Sequence, residues 1–316
     1  MSGHVLTFGE TMGLFRATEL GGLADVESAR IGTGGADSNV AIGLSRLGIP
    51  AAWVGRVGAD GLGRRVVQDI RGQGVDARPI VDPEHPTGLM IKEKRTPHTT
   101  KVWFYRSGSA GGRLRPADID RELIETAALV HVTGITASIS GSGRETVHAV
   151  LDAARAAGVP VSFDVNHRKA LWPSGDPAPV YREVAASADV IFAGDDEAAL
   201  LLGLPAGDIA GLVDGMRALG PSTAVLKRGA AGSAASDGGA LVEHPARQVP
   251  VVDTVGAGDA FVAGFLAARL RGETLPECLA LATSAGAFAC LGWGDWESMP
   301  RMDELALLDD SEPVSR

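Results

Sequence analysis

Cysteine is nearly absent from this chain, which has only Cys278 and Cys290 among 316 residues. One pair cannot staple a chain this long, and a lone pair is usually a buried thiol in a reducing compartment. Long hydrophobic runs are also missing, because no stretch reaches the roughly 18 uninterrupted apolar residues of a membrane span. The beginning, Met1 to His4, has no basic segment followed by a long apolar one. These absences predict a cytoplasmic protein with no membrane partner.

Positive charge is in deficit, since 29 Lys and Arg face 39 Asp and Glu, for a net charge of −10. A surface this negative repels polyphosphate and disfavours a nucleic-acid partner. Glycine, in contrast, is abundant, with 42 residues and no Gly-X-Y period. That excess indicates many tight turns and close backbone approaches in a globular protein.

Short apolar or β-branched runs alternate with longer segments of helical period, which predicts an α/β fold built from βαβ units around a mainly parallel sheet. The four glycine- and serine-rich residues 140–143 are predicted to form a loop. The predicted strands are Val5 to Gly9, Ala51 to Val57, Ala128 to Thr133, Val159 to Val165, Val190 to Ala193 and Thr223 to Lys227. The predicted helices are Ala36 to Leu47, Gly61 to Gly72, Arg144 to Ala157, Asp195 to Leu202, Ile209 to Leu219, Ala257 to Leu270 and Leu275 to Leu291.

Two segments, approximately 11–31 and 87–110, break this rhythm because they read as charged strands. Strands that do not continue the main sheet most simply form a small appended sheet, a lid inserted in one domain of residues 1–316. Alternation predicts that Val102, Phe104 and Arg106 share one face of their strand. The opposite face would carry Lys101, Trp103 and Tyr105.

The sharpest local signal is DTVGAGDAF, from Asp253 to Phe261, followed by a predicted helix. Glycines at a loop-to-helix junction turn backbone N–H groups toward one point, and the helix N-terminus adds partial positive charge, so the junction suits a phosphate. A carboxylate beside such an anion site suits phosphoryl transfer, which needs fixed donors and a base for the attacking hydroxyl. The alternative is a tight turn in which Asp259 only complements the helix dipole.

This segment resembles the C-terminal signature of the ribokinase-like (PfkB) carbohydrate kinases. GGADSNVA, from Gly34 to Ala41, continued to Leu47 and Gly48, resembles their N-terminal signature. The two lie in the expected order, and the likeness covers essentially the whole chain. The resemblance implies a three-layer α/β/α domain with a β-sheet lid, and phosphorylation of a sugar-like hydroxyl by ATP with Mg²⁺.

Individual positions then acquire roles. Gly34, Gly35 and Asn39 match residues that contact the sugar, although a turn with a helix cap is the alternative. Asp259 matches the catalytic base. Gly256, Ala257 and Gly258 are also predicted catalytic residues, because the amides of Ala257 and Gly258, which follow Gly256, are the expected donors to the transferred phosphoryl group.

The sequence KRGAAG looks like the family's nucleotide loop, so Lys227, Gly229 and Gly232 are expected to bind ATP together with Gly256 and Gly258. Read alone, this stretch would be a hairpin turn.

Metal ligands follow from the same resemblance. Glu197 matches the Glu of the family's Asn-x-x-Glu motif, which orders magnesium-bound water, but Gly194 stands at the Asn position and removes one hydrogen-bonding side chain. Asp253 is expected either to help bind a monovalent cation, K⁺ or Na⁺, or to cap its own turn.

The substrate is expected to be acidic. Leu14 stands where fructokinases and ribokinases carry an Asp for substrate hydroxyls, and a leucine cannot form those hydrogen bonds. Between Lys92 and Arg115 the local charge is +6. An inward-facing Arg106 would hold a carboxylate bidentately, whereas a solvated sheet edge is the alternative. Arg168 supplies a second guanidinium at the carboxyl end of a strand.

The stretch WFYRSGSA, from Trp103 to Ala110, looks like the corresponding stretch of 2-keto-3-deoxygluconate kinases, although Met90 and Phe104 replace tyrosines of that subfamily. Phe104, Arg106 and Arg168 are therefore predicted to bind the sugar acid. The rival functions are a kinase for another ketose or sugar acid, and a non-catalytic sugar or nucleotide sensor. The exposed lid strands also predict a homodimer.

Overall fold

The structure, a computed structural model, describes residues 3–96 and 99–309; residues 1–2 and 310–316 of the predicted domain, and 97–98 of the predicted lid, lie outside them. The strands are β1 (Val5–Phe8), β2 (Met12–Leu20), β3 (Ala29–Gly34), β4 (Ala51–Gly58), β5 (Asp76–Asp82), β6 (Leu89–Thr96), β7 (Thr99–Tyr105), β8 (Leu129–Thr133), β9 (Val161–Asp164), β10 (Val190–Gly194), β11 (Thr223–Lys227), β12 (Ser233–Ser236) and β13 (Val242–His244). The helices are α1 (Ala36–Arg46), α2 (Gly61–Gly72), α3 (Arg121–Glu125), α4 (Gly134–Ile139), α5 (Gly141–Ala157), α6 (Ala178–Ala185), α7 (Asp195–Leu202), α8 (Ile209–Ala218), α9 (Ala257–Leu270) and α10 (Leu275–Ala289).

The central sheet has the strand order β13-β12-β11-β10-β9-β8-β1-β4-β5. Neighbours from β5 to β11 pair in parallel, whereas β12 and β13 are antiparallel additions at one edge. The predicted mainly parallel sheet is confirmed. Because the parallel strands all end at one edge of the sheet, the loops that follow them converge there, where α/β sheets place ligands.

Both faces of the sheet are covered by helices. Val5 packs into a cluster with α1, α2, α9 and α10, while the next residue, Leu6, packs into a second cluster with α3 to α8. Phe192 and Phe265 are fully buried in the first cluster and meet edge to face, with ring centroids 5.2 Å apart. Burying each such ring stabilises the fold by about 2–3 kcal/mol. The predicted three layers are confirmed.

The second sheet, the lid, has the order β3-β2-β6-β7. Its inner face carries a small apolar cluster of Met12, Leu14 and Met90. Val102, Phe104 and Arg106 line the cavity beneath this sheet, as their alternation predicts. On the outer face Trp103 and Tyr105 are exposed.

Residues 140–143 do not form the predicted loop. Ser140 caps α5, because its Oγ accepts a hydrogen bond from the backbone N–H of Gly143 (2.9 Å), and the helix already begins at Gly141. Serine is a strong N-cap residue, and its cap outweighs the low helix propensity of the two glycines.

Other predicted boundaries shift by a few residues, since α10 ends at Ala289 rather than Leu291. Strand β5 was not predicted; it contains Pro79, which is tolerated because β5 is an edge strand. Within the described ranges, no helix is both long and apolar enough to cross a bilayer.

Candidate active site

A cavity of about 600 Å³, here called the central cavity, lies between the carboxyl edge of the central sheet and the lid. It brings together site residues predicted from six separate stretches of chain. The predicted residues that line it are Gly34, Gly35, Asn39, Phe104, Arg106, Arg168, Glu197, Lys227, Gly256, Gly258 and Asp259.

A second cavity of about 380 Å³, the adjoining cavity, shares Lys227 and Gly258 with the central one. Its lining includes the predicted nucleotide-loop residues Gly229 and Gly232, together with Ala257. The part of its lining that α9 and α10 contribute is largely apolar, which suits an adenine ring. The two cavities meet at the start of α9.

Asp259 stands at this meeting point, in the first turn of α9. The side-chain amide of Asn39 donates a hydrogen bond to its Oδ2 (2.8 Å), and that of Asn166 donates a longer one to Oδ1 (3.4 Å). Asn166 has a φ of 40°, an unusual backbone conformation that aims its amide into the cavity. Both amides hold the carboxylate in one orientation.

Burial raises the pKa of Asp259 to about 6; the hydrogen bond from Asn39 and the charge of Arg168 oppose this rise. The carboxyl group is therefore mostly ionised at neutral pH, yet basic enough to accept a proton from a hydroxyl group. A buried carboxylate whose pKa lies near the operating pH is characteristic of a general base.

The turn before α9 depends on Gly256, which has a φ of 77°. A Cβ atom here would overlap the backbone carbonyl oxygen of Asp295. In the next residues the amide of Ala257 donates to the carbonyl of Thr254 (3.3 Å), whereas the amide of Gly258 has no acceptor among residues 3–96 and 99–309. Of the two predicted donors to an anion, Gly258 is thus the one that is free.

Gly34 and Gly35 are glycines because their neighbours come too close for side chains. A Cβ on Gly34 would overlap the carboxylate of Asp295, and one on Gly35 would overlap the carbonyl oxygen of Glu10. Their backbone therefore forms part of the wall of the central cavity, within reach of a ligand's hydroxyl groups. Gly35 also precedes α1, where its N–H faces Asn39 Oδ1 at 3.5 Å.

Lys227, at the end of β11, donates a hydrogen bond to Asp164 Oδ1 (2.6 Å), at the end of β9. Burial disfavours the charged form of this lysine, but the carboxylates of Asp164 and Glu197 outweigh burial and raise its pKa. Lys227 therefore stays protonated between the two cavities, where it can meet a phosphate.

Both carboxylate oxygens of Glu197 accept backbone hydrogen bonds, from Gly194 N–H (2.7 Å) and His167 N–H (2.7 Å). These bonds fix its carboxylate at the wall of the central cavity, while each oxygen keeps a lone pair for a water molecule. Gly194, which lacks the family's side chain, contributes its N–H to this anchoring.

Glu10 was not selected from the sequence. It directly follows β1, and its buried carboxylate forms an ion pair with Arg106 (2.5 Å) and accepts a hydrogen bond from Ser109. The available signal was its place at the carboxyl end of a strand, the position that singled out Arg168. Arg106 does face inward, as predicted, but part of its charge is already matched.

Arg168, unlike Arg106, has no carboxylate partner in the described part of the chain. It is exposed at the mouth of the central cavity, and within the described part of the chain no carboxylate lies within 4.0 Å of it. Its guanidinium can therefore take a ligand carboxylate without giving up a partner. Phe104 packs against the other guanidinium, with Arg106 Cζ 5.9 Å from its ring centroid.

Lys92 and Asp295 form a buried ion pair that joins the lid to the loop after α10. In the sequence Lys92 is one of several basic residues of the lid, and nothing there relates it to a residue 203 positions away. The pair borders the central cavity.

A second buried carboxyl group is that of Asp37, which lies in the N-terminal signature and had no role predicted from the sequence. Its Oδ2 accepts hydrogen bonds from Thr136 (2.9 Å) and Thr133 (3.2 Å), which join the start of α1 to the start of α4. Burial raises its pKa to about 7, and the charge of Asp259 adds to the rise.

Asp253 lies apart from the other predicted site residues. Its side chain lines neither the central nor the adjoining cavity but a third one, and its Oδ1 accepts a hydrogen bond from Val255 N–H (3.2 Å). The ammonium group of Lys94 donates to the neighbouring carbonyl of Val252 (3.1 Å). The aspartate caps its turn, which was one of the two predicted roles.

The sequence is similar to those of known proteins over almost its whole length. The model of the pfkB family carbohydrate kinases matches residues 2–302. The chain is 35% identical to the 2-dehydro-3-deoxygluconokinase of Bacillus subtilis, over 95% of this chain and 94% of the relative. It is 36% identical to that of Thermoproteus tenax, over 84% and 82%.

Solved structures agree. A PfkB protein from Polaromonas sp. JS666 has a TM-score of 0.86 and 32% identity, covering 95% of this chain and 98% of that one. The match spans nearly the whole of both chains. This chain belongs to the pfkB family of carbohydrate kinases.

Proposed function

We propose that this protein transfers the γ-phosphoryl group of ATP to the terminal primary hydroxyl of 2-keto-3-deoxygluconate (2-dehydro-3-deoxygluconate). The observation that carries the proposal is the position of Asp259. Its carboxylate, with a pKa raised to about 6, lies where the central cavity meets the adjoining one, beside the amide of Gly258, which has no acceptor among the described residues.

In this mechanism ATP occupies the adjoining cavity, and its γ-phosphate reaches the start of α9. The sugar occupies the central cavity, held by Asn39 and the backbone of Gly34 and Gly35. Asp259 accepts the proton of the substrate hydroxyl, whose oxygen forms a bond to the γ-phosphorus. The bond from phosphorus to the β,γ-bridging oxygen breaks, and ADP leaves. Gly258 N–H and Lys227 stabilise the charge on the transferred group.

Mg²⁺ is the metal we propose, and the residues present fit it, since Glu197 has a fixed carboxylate with lone pairs to spare for metal-bound water. When bound, the ion neutralises charge on the phosphate oxygens. Because Gly194 has no side chain, Glu197 is the residue of this motif that we expect to hold the metal-bound water.

The preference for an acid rests on Arg168 and Arg106. Arg168 is unpaired within the described residues, and Arg106 offers the N–H groups that Glu10 does not occupy. Leu14 is buried in the apolar lid cluster and offers no hydrogen bond to a neutral sugar. Relatives support the same class, and one of them, from Haloferax volcanii, is a 2-dehydro-3-deoxygalactonokinase that is 33% identical over 93% of both chains.

A substrate panel with coupled ADP detection tests the proposal. We expect the highest kcat/KM with 2-keto-3-deoxygluconate or its C4 epimer, 2-keto-3-deoxygalactonate, and far lower values with fructose and ribose. A higher kcat/KM with a neutral hexose would overturn the acid preference. Binding of ATP and sugar without turnover, in the presence of Mg²⁺, would instead favour a non-catalytic sensor.

The homodimer is proposed to form through the lid. Strand β7 is an edge strand of that sheet, and Trp103 and Tyr105 on its outer face are exposed. Unpaired strand edges with apolar side chains are prone to pair with a second copy. Light scattering should give twice the mass of one chain, and Trp103→Lys should reduce it to one; a monomeric wild-type protein would refute the dimer.

Dependence on K⁺ or Na⁺ is proposed on the basis of Asp253 and the carbonyl groups of its turn. Lys94 already supplies a positive charge there. Replacing K⁺ and Na⁺ by tetramethylammonium should lower activity if the turn binds a monovalent cation, and unchanged activity would assign that charge to Lys94 alone.

The cytoplasm is the compartment we propose, since both cysteines are free thiols in the structure and ATP is the phosphoryl donor. Fractionation of producing cells should recover the kinase activity with the cytoplasmic proteins.

A further inference from the structure

The third cavity, here called the lid cavity, has a volume of about 330 Å³ and lies under the inner face of the lid. It shares Lys92 with the central cavity, so the Lys92–Asp295 pair stands between the two. Trp293 forms one wall. The charged residues that line it are Arg16, Glu19, Arg30, Lys92, Lys94 and Asp253.

Strand register places three of these cations in one row. Arg16 on β2 lies directly opposite Arg30 on β3, and it is also the register partner of Lys92 on β6. Opposite residues on neighbouring strands point to the same face, and like charges in such positions destabilise a sheet. Lys94, two residues beyond Lys92, points to that face as well. A chain with a net charge of −10 thus concentrates positive charge under its lid.

Some of this charge is matched within the protein. Lys92 has Asp295, and Lys94 donates to the carbonyl of Val252 with its ammonium 3.9 Å from the Trp293 ring centroid. Arg16 also lies against Trp293, with its Cζ 5.2 Å from the ring centroid. In residues 3–96 and 99–309, no carboxylate lies within 4.0 Å of a guanidinium nitrogen of Arg16 or Arg30.

Arg16 and Arg30 thus lie side by side on neighbouring strands, have no carboxylate partner in the described part of the chain, and line a cavity with an aromatic wall, which is an arrangement that suits an anion. The planar guanidinium groups match the oxygen pairs of a phosphate or carboxylate group. A bound dianion would also relieve the repulsion between neighbouring strands. Glu19 and Asp253 also line the cavity, and their carboxylates repel an anion. The four cationic side chains outnumber them, so the net charge of the lining is positive.

We propose that the lid cavity is a binding site for a small dianion, a phosphate or dicarboxylate group, separate from the site of phosphoryl transfer. Lys92 borders both cavities, so a bound dianion competes with Asp295 for its ammonium group. This competition weakens the Lys92–Asp295 ion pair that borders the central cavity. Occupancy should therefore raise the KM for the sugar without changing that for ATP.

Calorimetric titration tests the site itself and does not depend on the proposed substrate. The full chain is first saturated with Mg²⁺ and a non-hydrolysable ATP analogue, so that the anion donors of α9 are covered. It is then titrated with inorganic phosphate and, separately, with malonate, which distinguishes a phosphate from a dicarboxylate site. We compare wild type, the double variant Arg16→Gln/Arg30→Gln, and the control Lys101→Gln, which removes a lid cation from the outer face, stacked on Trp103.

We expect one dianion per chain in wild type and control, and at least tenfold weaker binding in the double variant. Equal binding in all three proteins, or no binding in wild type, would overturn the site. If the double variant does not fold, Arg30→Gln alone, on the exposed edge strand β3, serves in its place.

Kinetics then test the link to the central cavity. Phosphate should raise the sugar KM of wild type and control but leave that of the double variant unchanged. The same rise in all three proteins would assign the effect to phosphate in the central cavity and overturn the link.

Discussion

Asn39 and Asp259 are 220 positions apart in the chain, and the side-chain amide of one donates a 2.8 Å hydrogen bond to the carboxylate of the other. This bond joins the starts of α1 and α9, which carry the two sequence signatures. It holds the carboxylate of Asp259, the candidate base, at the wall of the central cavity, where the sugar is proposed to bind.

Asp259→Asn should lower kcat at least a hundredfold, because general-base catalysis typically contributes that much. The amide keeps the shape of the side chain and an oxygen that can still accept from Asn39, so both ligands should bind normally by calorimetry. Asp152→Asn, on the exposed face of α5, is the control and should be fully active. Retained activity in Asp259→Asn would remove this residue from the mechanism.

The pH profile should follow the raised pKa of Asp259. Since the base must be ionised, kcat/KM should fall below about pH 6, by about tenfold per pH unit. Arg168 lowers this pKa, so Arg168→Gln should move the acidic limb to higher pH, while Lys169→Gln on the neighbouring exposed residue should not. If the acidic limb lies at the same pH in wild type, Arg168→Gln and Lys169→Gln, a group other than Asp259 determines it.

The same group affects stability with the opposite sign. Because the folded protein holds this proton up to about pH 6 and the unfolded chain only to about 3.8, the contribution of Asp259 to the free energy of unfolding falls as pH rises through that window. Urea unfolding of wild type and Asp259→Asn across this range should show the difference.

The Glu10–Arg106 pair predicts a non-additive result. Arg106→Ala should raise the sugar KM with little change in that for ATP, and it should also lower the free energy of unfolding by about 3 kcal/mol, because Glu10 remains as a buried, unpaired charge. Adding Glu10→Gln should restore much of this stability but not the sugar KM. Additive losses of stability would mean that the two side chains do not interact, and equal damage to both KM values would mean that the lid has collapsed.

Gly256→Ala should disrupt the turn that precedes α9. An alanine at a φ of 77° costs about 1–2 kcal/mol in backbone conformation alone, and its Cβ would also overlap the carbonyl oxygen of Asp295. We expect lower thermal stability and loss of ATP binding. Gly141→Ala is the matched control, since a Cβ there meets no atom within 4 Å; a similar loss in both variants would contradict the proposed strain.

Much of the fold was predictable because periodicity and turn residues are local. The strands of the central sheet, most helices and the two faces of β7 follow from patterns within a dozen residues. Ser140 shows the limit of this approach: a serine before two glycines reads as a loop, and only the hydrogen bond from Gly143 N–H makes it a helix cap.

The site was predictable where it lies in a sequence signature, as for Asp259 and Asn39, which a hydrogen bond joins in the structure. Its electrostatic partners were not. Glu10 and Asp295 meet Arg106 and Lys92 only after the lid has folded over the sheet, so their pairing depends on tertiary structure. The sequence therefore revealed the cations of the pocket but not how many of them are already neutralised.

The Lys92–Asp295 bridge has a consequence for turnover. Any movement of the lid away from the loop after α10 must pull apart an ammonium and a carboxylate that are both almost completely shielded from water. If the lid opens in each cycle of the proposed reaction, separating this pair adds an electrostatic barrier to the release of the phosphorylated sugar.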